Sequence, residues 1–281
     1  MRFGKLPFLL LYLVIVLWYS LPDDGEEVRT PRYDPPPREP IATPKDGETL
    51  PPPSFRDPTF QVENNDPQRN SSGTAFAIDR DGLWITARHV VDGCTRLGFL
   101  LPDGRRAYGS QQVWIHPNSD MALVQGPETV AAVELTQHPS PSGADAFHIG
   151  YPQGKPADVW SQVIGRARMV TRGRYRITEP VVAYAEVQRF PSFTGSLGGM
   201  SGGPIFNNEG RIIGITVAGN PRRGRVIGTA PRSFDRLFKT ARRMPGMDNI
   251  TAPPIDSSTL AATGKEMRRR FVVAKLICRV S

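Results

Sequence analysis

Cysteine and histidine are scarce in this chain. It holds two cysteines, Cys94 and Cys278, and four histidines. The wide cysteine spacing excludes a CxxC redox motif and a zinc-finger pattern. His116, His138 and His148 have no second ligand at a metal-like spacing, so they read as surface or packing residues, and no metal or cofactor is expected. The two thiols either pair in an oxidising compartment or stay apart, and spacing alone leaves both open. Nucleic-acid motifs are lacking too. The net charge is +8, much of it from Arg and Lys late in the chain. No helix-turn-helix, zinc finger or aromatic-interleaved basic stretch accompanies it. The excess therefore reads as a solvated basic face, and a nucleic-acid partner is not expected.

Long apolar runs are also few. The one that stands out is residues 6–21 (LPFLLLYLVIVLWYSL), preceded by Arg2 and Lys5 and followed by Pro22 and four acidic residues. That charge polarity suits insertion with the N-terminus inside. Small residues, which signal cleavage needs, are absent where Trp18, Tyr19 and Leu21 stand, so an uncleaved anchor is favoured over a cleaved signal peptide. Snorkelling of Lys5 offsets the shortness of the run. Residues 23–66 are dominated by proline and poor in apolar side chains, the composition of a semi-extended spacer. The expected organisation is a signal anchor or signal peptide over 1–22, a proline-rich linker over 23–66, a folded body over 67–245 and a basic tail over 246–281. About 180 residues of body suffice for a core without staples.

The body has little helical periodicity. Short apolar runs at 74–78, 83–87, 112–115, 121–124, 146–149, 159–164, 181–187, 212–217 and 225–230 alternate with Gly, Asn, Asp and Pro turn signals. This spacing suggests an all-β sandwich or barrels. The clearest helix is residues 233–243, with Ser233 as its expected N-cap and Phe234, Leu237 and Phe238 on one face. Residues 271–280 (FVVAKLICRV) read as a strand at a sheet edge or on a partner.

Three local patterns carry chemistry. His89 follows an apolar strand in Trp84-Ile85-Thr86-Ala87-Arg88-His89. Asp120 precedes another in His116-Pro117-Asn118-Ser119-Asp120-Met121-Ala122. Ser201 sits in the glycine-rich turn Gly198-Gly199-Met200-Ser201-Gly202-Gly203-Pro204. Singly, each is an ordinary strand end or turn. In the order His–Asp–Ser, at spacings of 31 and 81 residues, the first two fall in one half of the body and the serine in the other.

These blocks, with Ser72-Gly73-Thr74-Ala75-Phe76 and Gly150-Tyr151-Pro152, resemble those of trypsin-like serine peptidases, closest in style to the bacterial HtrA-type and related stand-alone enzymes. The resemblance covers residues 71–243. It implies two six-stranded antiparallel β-barrels with the active site in the cleft between them, beside the N-terminal membrane or signal helix and a short C-terminal helix. It implies a serine endopeptidase that forms an acyl-enzyme on Ser201, with His89 as general base oriented by Asp120. Gly199 and Ser201 would supply oxyanion-hole amides. Gly195 would line the pocket floor, and Val217, Ala218 and Gly219 would form the edge that pairs with substrate backbone. The expected partner is a protein or peptide substrate. The expected location is outside the cytoplasm, tethered by the N-terminal helix to a bacterial inner membrane, with the body in the periplasm or beyond.

The chain departs from the pattern at several points. Met200 stands where zymogen-activated relatives carry Asp, which argues against activation through a freed N-terminus. Gly195 brings no carboxylate, so cleavage after a small or medium apolar residue is expected rather than after Lys or Arg. Arg88 beside His89 is expected to point to solvent. The last 35 or so residues are too few for a PDZ domain. Two rival readings use the same residues differently: a catalytically inactive protease-fold binding protein, and a membrane-tethered scaffold.

Overall fold

The computed structural model describes residues 47–64, 69–110, 112–220, 224–246 and 251–280. The expected membrane segment and residues 23–46 lie outside the described residues. Among the described residues no helix is long and apolar enough to cross a membrane.

In chain order the elements are β1 (Thr59–Asn64), β2 (Ser71–Ala77), β3 (Leu83–Thr86), α1 (Arg88–Val91), β4 (Arg96–Leu100), β5 (Ala107–Ser110), β6 (Val113–Ile115), β7 (Ala122–Gln125), β8 (Asp145–Gly150), β9 (Ala157–Gly173), β10 (Ile177–Phe190), β11 (Pro204–Phe206), β12 (Ile212–Asn220), β13 (Arg225–Thr229), α2 (Ser233–Ala241), α3 (Leu260–Arg269) and β14 (Val273–Arg279). The strands form two seven-stranded sheets. The first has the order β5-β4-β14-β2-β3-β7-β6. The second runs β1-β9-β10-β13-β12-β11-β8 and returns on itself because β8 also pairs with β9. Six of its strands thus form a hydrogen-bonded ring, and β1 is added outside it, parallel to residues 168–173 of β9.

The expectation of two six-stranded antiparallel barrels is corrected in two ways. The first sheet takes a seventh strand from the C-terminal segment, and β5 and β6 end its order without pairing to each other. The ring carries a parallel strand from the segment expected to be a spacer. Both extra strands lie outside residues 67–245. β14 is interior, not at an edge: Leu276 stands opposite Gly73 of β2 and Phe99 of β4. Its Val273, Ala274, Leu276 and Cys278 are buried, so a run set apart as a basic tail fills the middle of the first core. The end of the proline-rich stretch is also seated. Leu50 is buried, and Gly47 and Glu48 exchange backbone hydrogen bonds with Ser142.

Cys94 and Cys278 are joined by a disulfide, with Cα atoms 5.4 Å apart. It ties the turn after α1 to β14. Helix α2 buries Phe234, Leu237 and Phe238 as expected, with Ala241 beside them, but its N-cap is Arg232 and makes no side-chain capping bond. Ser233 is already inside the helix, because its amide bonds to the Ala230 carbonyl. Helix α3 lies against β9 at Gly264, where a Cβ would come within 2.4 Å of the Asp158 carboxylate. That closeness lets Arg268 grip Asp158 through two hydrogen bonds of 2.7 and 2.9 Å.

Candidate active site

The fully buried strand β3 delivers the chain to Ala87, whose extended backbone opens the single turn of α1. His89 therefore leaves the sheet at its rim, with its side chain 30% exposed against 5% for Asp120. Asp120 lies just before β7, on the strand neighbouring β3. Its Oδ2 sits 2.6 Å from His89 Nδ1. Its Oδ1 accepts the His89 backbone N–H at 2.9 Å and the Tyr175 hydroxyl at 3.0 Å. The carboxylate thus accepts the hydrogen bond of Nδ1–H and leaves Nε2 as the basic face of the ring. Burial pushes the His89 pKa down, but the charge and hydrogen bond of Asp120 outweigh it, so the value lies above the ordinary 6.5.

The Asp120 turn is itself held. Its amide donates to Glu179 Oε1 at 2.8 Å, and the Ser119 hydroxyl shares a hydrogen bond with Glu179 Oε2. Burial, then the Asp120 charge, push the Glu179 carboxyl up to about 8. Arg88 does not point to solvent. Its guanidinium stacks 3.9 Å above the Tyr175 ring, and its Nε is buried. The ring's π-face replaces the hydration that burial removes. Neither Tyr175 nor Glu179 stood out in the sequence. Both are far from His89 along the chain and belong to no recognisable motif.

The Ser201 turn bridges the two sheets. The Ser201 carbonyl accepts the amide of Thr74 on β2, and the Gly202 amide donates to Thr216 on β12, each at 2.8 Å. Two glycines make the turn possible. Gly199 has φ 97° and faces the Tyr151 carbonyl where a Cβ would sit at 2.5 Å; Gly202 has φ 85° and faces the Thr74 carbonyl at 2.2 Å. No other residue fits either place. Among the described residues, neither the Gly199 nor the Ser201 amide donates to a protein acceptor. Such paired free donors suit a developing oxyanion.

Of the three expected catalytic residues, His89 and Asp120 are in direct contact. Ser201 is seated beside α1 across Gly73: a Cβ at Gly73 would lie 2.6 Å from Val90 and 3.0 Å from the Ser201 carbonyl. No hydrogen bond joins Ser201 Oγ to His89 among the described residues. Such contacts commonly tighten only when substrate binds.

The expected pocket residues sit near the same turn. Gly195 has φ 90°, and its carbonyl accepts Arg189 Nη1 at 2.9 Å. Arg189 is in turn paired with Glu186 and stacked 4.5 Å over Phe193, so the nearby carboxylate is already matched. Val217 is buried and Gly219 faces Leu197. One edge of β12 pairs with β13 through Ala218 and Gly219, whereas β11 covers the other edge only as far as Ile215. Residues 217–219 therefore keep one edge without a strand partner among the described residues.

His148 offers a second His–Ser contact, at 2.7 Å from Ser161 Oγ, with Thr216 Oγ1 at 2.9 Å on the other ring nitrogen. It is not a reactive pair. His148 and Ser161 are fully buried, no carboxylate joins them among the described residues, and burial drives the His148 pKa down to about 3. The contact is a neutral brace inside the ring of strands.

A family model described as a trypsin-like peptidase domain matches residues 73–215. The chain belongs to that family. Among similar proteins, a probable periplasmic serine endoprotease DegP-like of Chlamydia trachomatis is 27% identical over 215 residues, 71% of this chain and 40% of the relative. The periplasmic serine endoprotease DegP of Escherichia coli is 29% identical over 150 residues, 52% of this chain and 30% of the relative. The chain thus spans well under half the length of these peptidase relatives. The Rv3671c protease of M. tuberculosis, in its active form, shares the fold with a TM-score of 0.51 at 19% identity, over 64% of this chain and 78% of that one.

Proposed function

We propose that this member of the trypsin-like peptidase family is a serine endopeptidase acting on proteins or peptides. The observation that carries the reading is the Nδ1–Oδ2 contact of 2.6 Å between His89 and Asp120, with the glycine turn that bears Ser201 seated beside the helix of His89 across Gly73. In this reading Asp120 holds the imidazole in one tautomer and stabilises its protonated form. His89 takes the Ser201 proton as Oγ attacks the scissile carbonyl, then returns it to the leaving amine. Water hydrolyses the resulting acyl-enzyme with His89 again as base. The Gly199 and Ser201 amides hold the oxyanion, and loss of one such donor costs about 10²–10³ in rate. Gly195, Val217, Ala218 and Gly219 take the substrate. The absence of a carboxylate at Gly195 favours a small or medium apolar side chain before the cleaved bond.

The names of the DegP-type relatives and the polarity of residues 1–22 support an exported enzyme held at a bacterial inner membrane, with the proline-rich stretch as tether and the body in the periplasm or outside the cell. The experiment is direct. Full-length protein is treated with a fluorophosphonate probe and offered a casein-type substrate, beside Ser201→Ala. Labelling and cleavage are expected in the wild type and lost in the variant. A binding protein without turnover is the second reading, favoured by the missing Ser201–His89 hydrogen bond. A wild type that is neither labelled nor active would establish it.

A further inference from the structure

Asp120 belongs to the first sheet, yet much of what holds it comes from the second. Strands β9 and β10 form a long antiparallel ribbon. Tyr175 lies in the turn at its tip, and Glu179 lies near the start of β10. We propose that Tyr175 and Glu179 are positioning residues of the peptidase reaction, presented by the β9–β10 ribbon to fix the carboxylate and the backbone of Asp120 for His89. The assignment rests on the serine-peptidase reading above.

The geometry divides the work between the two residues. A carboxylate rotates easily about its last torsion, where energy minima are broad. Here both other donors, the His89 amide and the Tyr175 hydroxyl, converge on Oδ1. Fixing Oδ1 leaves Oδ2 a single direction, toward His89 Nδ1. Glu179 acts on the other side of the residue. Its two oxygens are taken by the Asp120 amide and the Ser119 hydroxyl, so both its hydrogen bonds end on the turn that carries Asp120. Glu179 is 1% exposed and has no cationic partner among the described residues. A lone buried carboxylate of that kind is costly. As a largely neutral acid at pH 7 it still accepts the Asp120 amide on Oε1 and turns its own proton on Oε2 to the Ser119 oxygen, so it grips the turn without setting a second full negative charge beside Asp120. The other charges bearing on this cluster are Arg88 over the Tyr175 ring, Arg174 acting on His89, and Asp92 acting on Tyr175.

The test compares full-length wild type, Ser201→Ala, Tyr175→Phe, Glu179→Gln and Glu179→Ala. The readouts are kcat and KM against pH, thermal unfolding, and the His89 imidazole titration followed by NMR. Tyr175→Phe keeps the ring under Arg88 but removes the donor. It is expected to lower kcat about tenfold with KM unchanged. It leaves more negative charge on Asp120, so the acidic limb of the rate profile and the His89 titration move up by about half a pH unit. Glu179→Gln keeps an acceptor for the Asp120 amide and stays within about threefold of wild type, whereas Glu179→Ala loses about a hundredfold in kcat. A folded Tyr175→Phe with wild-type kcat and an unmoved His89 titration overturns the proposal, as does a folded Glu179→Gln as impaired as Glu179→Ala. If wild type turns nothing over, the peptidase reading falls by itself. The His89 titration still decides whether Tyr175 governs the pair.

Discussion

One sheet closes on itself and the other does not. The ring of β8 to β13 is built from one continuous stretch, and β8 returns to β9 to complete it. Every strand in it has a partner on both sides. The first sheet gathers β2 to β7 and then takes an interior strand, β14, from about two hundred residues beyond β2. A disulfide spanning 184 residues fastens that strand to the turn after α1. The less self-sufficient sheet is the one that carries His89 and Asp120. The site is therefore assembled on a base that the far end of the chain must complete, and the Tyr175–Glu179 ribbon reaches across from the self-contained side.

The sharpest way to break this contrast is to remove residues 251–281. β2 and β4 would lose their shared partner along the full length of β14. The burial of Val273 and Leu276, each worth about 1.5–3 kcal/mol, would go with it. With the exposed backbone groups added, the loss matches the entire stability of an ordinary domain, about 5–15 kcal/mol. Hydrogen exchange should show amides of β2, β3 and β7 unprotected, while those of β9, β10, β12 and β13 keep protection. Uniform retention of protection in the first sheet would mean that β14 is an accessory.

Much of the candidate site was legible in the sequence, because His89, Asp120 and Ser201 each sit in a distinctive local block, and two of those blocks meet in the His89–Asp120 contact. The fold was legible where burial alternates or runs unbroken, as in β3 and β7. It was less so where pairing is long-range. Residues 271–280 read as a strand, but nothing local says that a strand lies between two others rather than at an edge. β1 alternates between exposed and half-buried positions, too faint a pattern to stand out after a run of prolines. β5 is exposed along nearly its whole length and has no apolar face to detect. Ser233 looked like an N-cap by type, but the backbone entered the helix one residue earlier. Tyr175 and Glu179 were invisible for a related reason: their role exists only once the ribbon of one sheet meets a turn of the other.

The next largest effect is expected where the C-terminal segment meets the ring. Arg268 and Asp158 are both largely buried. Removing one member of such a pair strands the other, which typically costs about 3–5 kcal/mol. Arg268→Met should therefore lower the urea midpoint strongly, and adding Asp158→Asn should restore part of the loss by removing the stranded charge. If the double variant is no more stable than the single, the pair is not what holds α3 to β9. Cys278→Ser should cost somewhat less, about 2–4 kcal/mol, the typical contribution of a disulfide. Its effect should appear in the first sheet alone. Equal loss of protection in both sheets would show that they unfold as one unit and erase the contrast.

The smallest steps come from pH, and they carry opposite signs. His148 and His116 are held neutral by burial, with pKa values lowered to about 3 and about 4 from 6.5. The unfolded chain protonates these rings first, so stability is full above pH 6.5 and is lost as the pH falls toward 4 and 3. Glu179 behaves in reverse. Its carboxyl is raised from 4.5 to about 8, so the unfolded chain ionises first; stability is full below pH 4.5 and is lost as the pH rises through 8. The raised pKa of His89 adds to that alkaline loss. Each group contributes a slope of up to about 1.4 kcal/mol per pH unit. Among these four groups, two histidines oppose one carboxyl between pH 4.5 and 6.5, and above pH 6.5 the losses of Glu179 and His89 remain. The unfolding midpoint should therefore peak near pH 6.5. His148→Gln, which alters only the ring, should flatten the acid side. Glu179→Gln, at the junction of the two sheets, should flatten the alkaline side. If Glu179→Gln leaves the alkaline side as steep as in the wild type, Glu179 is not the group that senses pH there, and the contact between ribbon and Asp120 turn is looser than its hydrogen bonds imply.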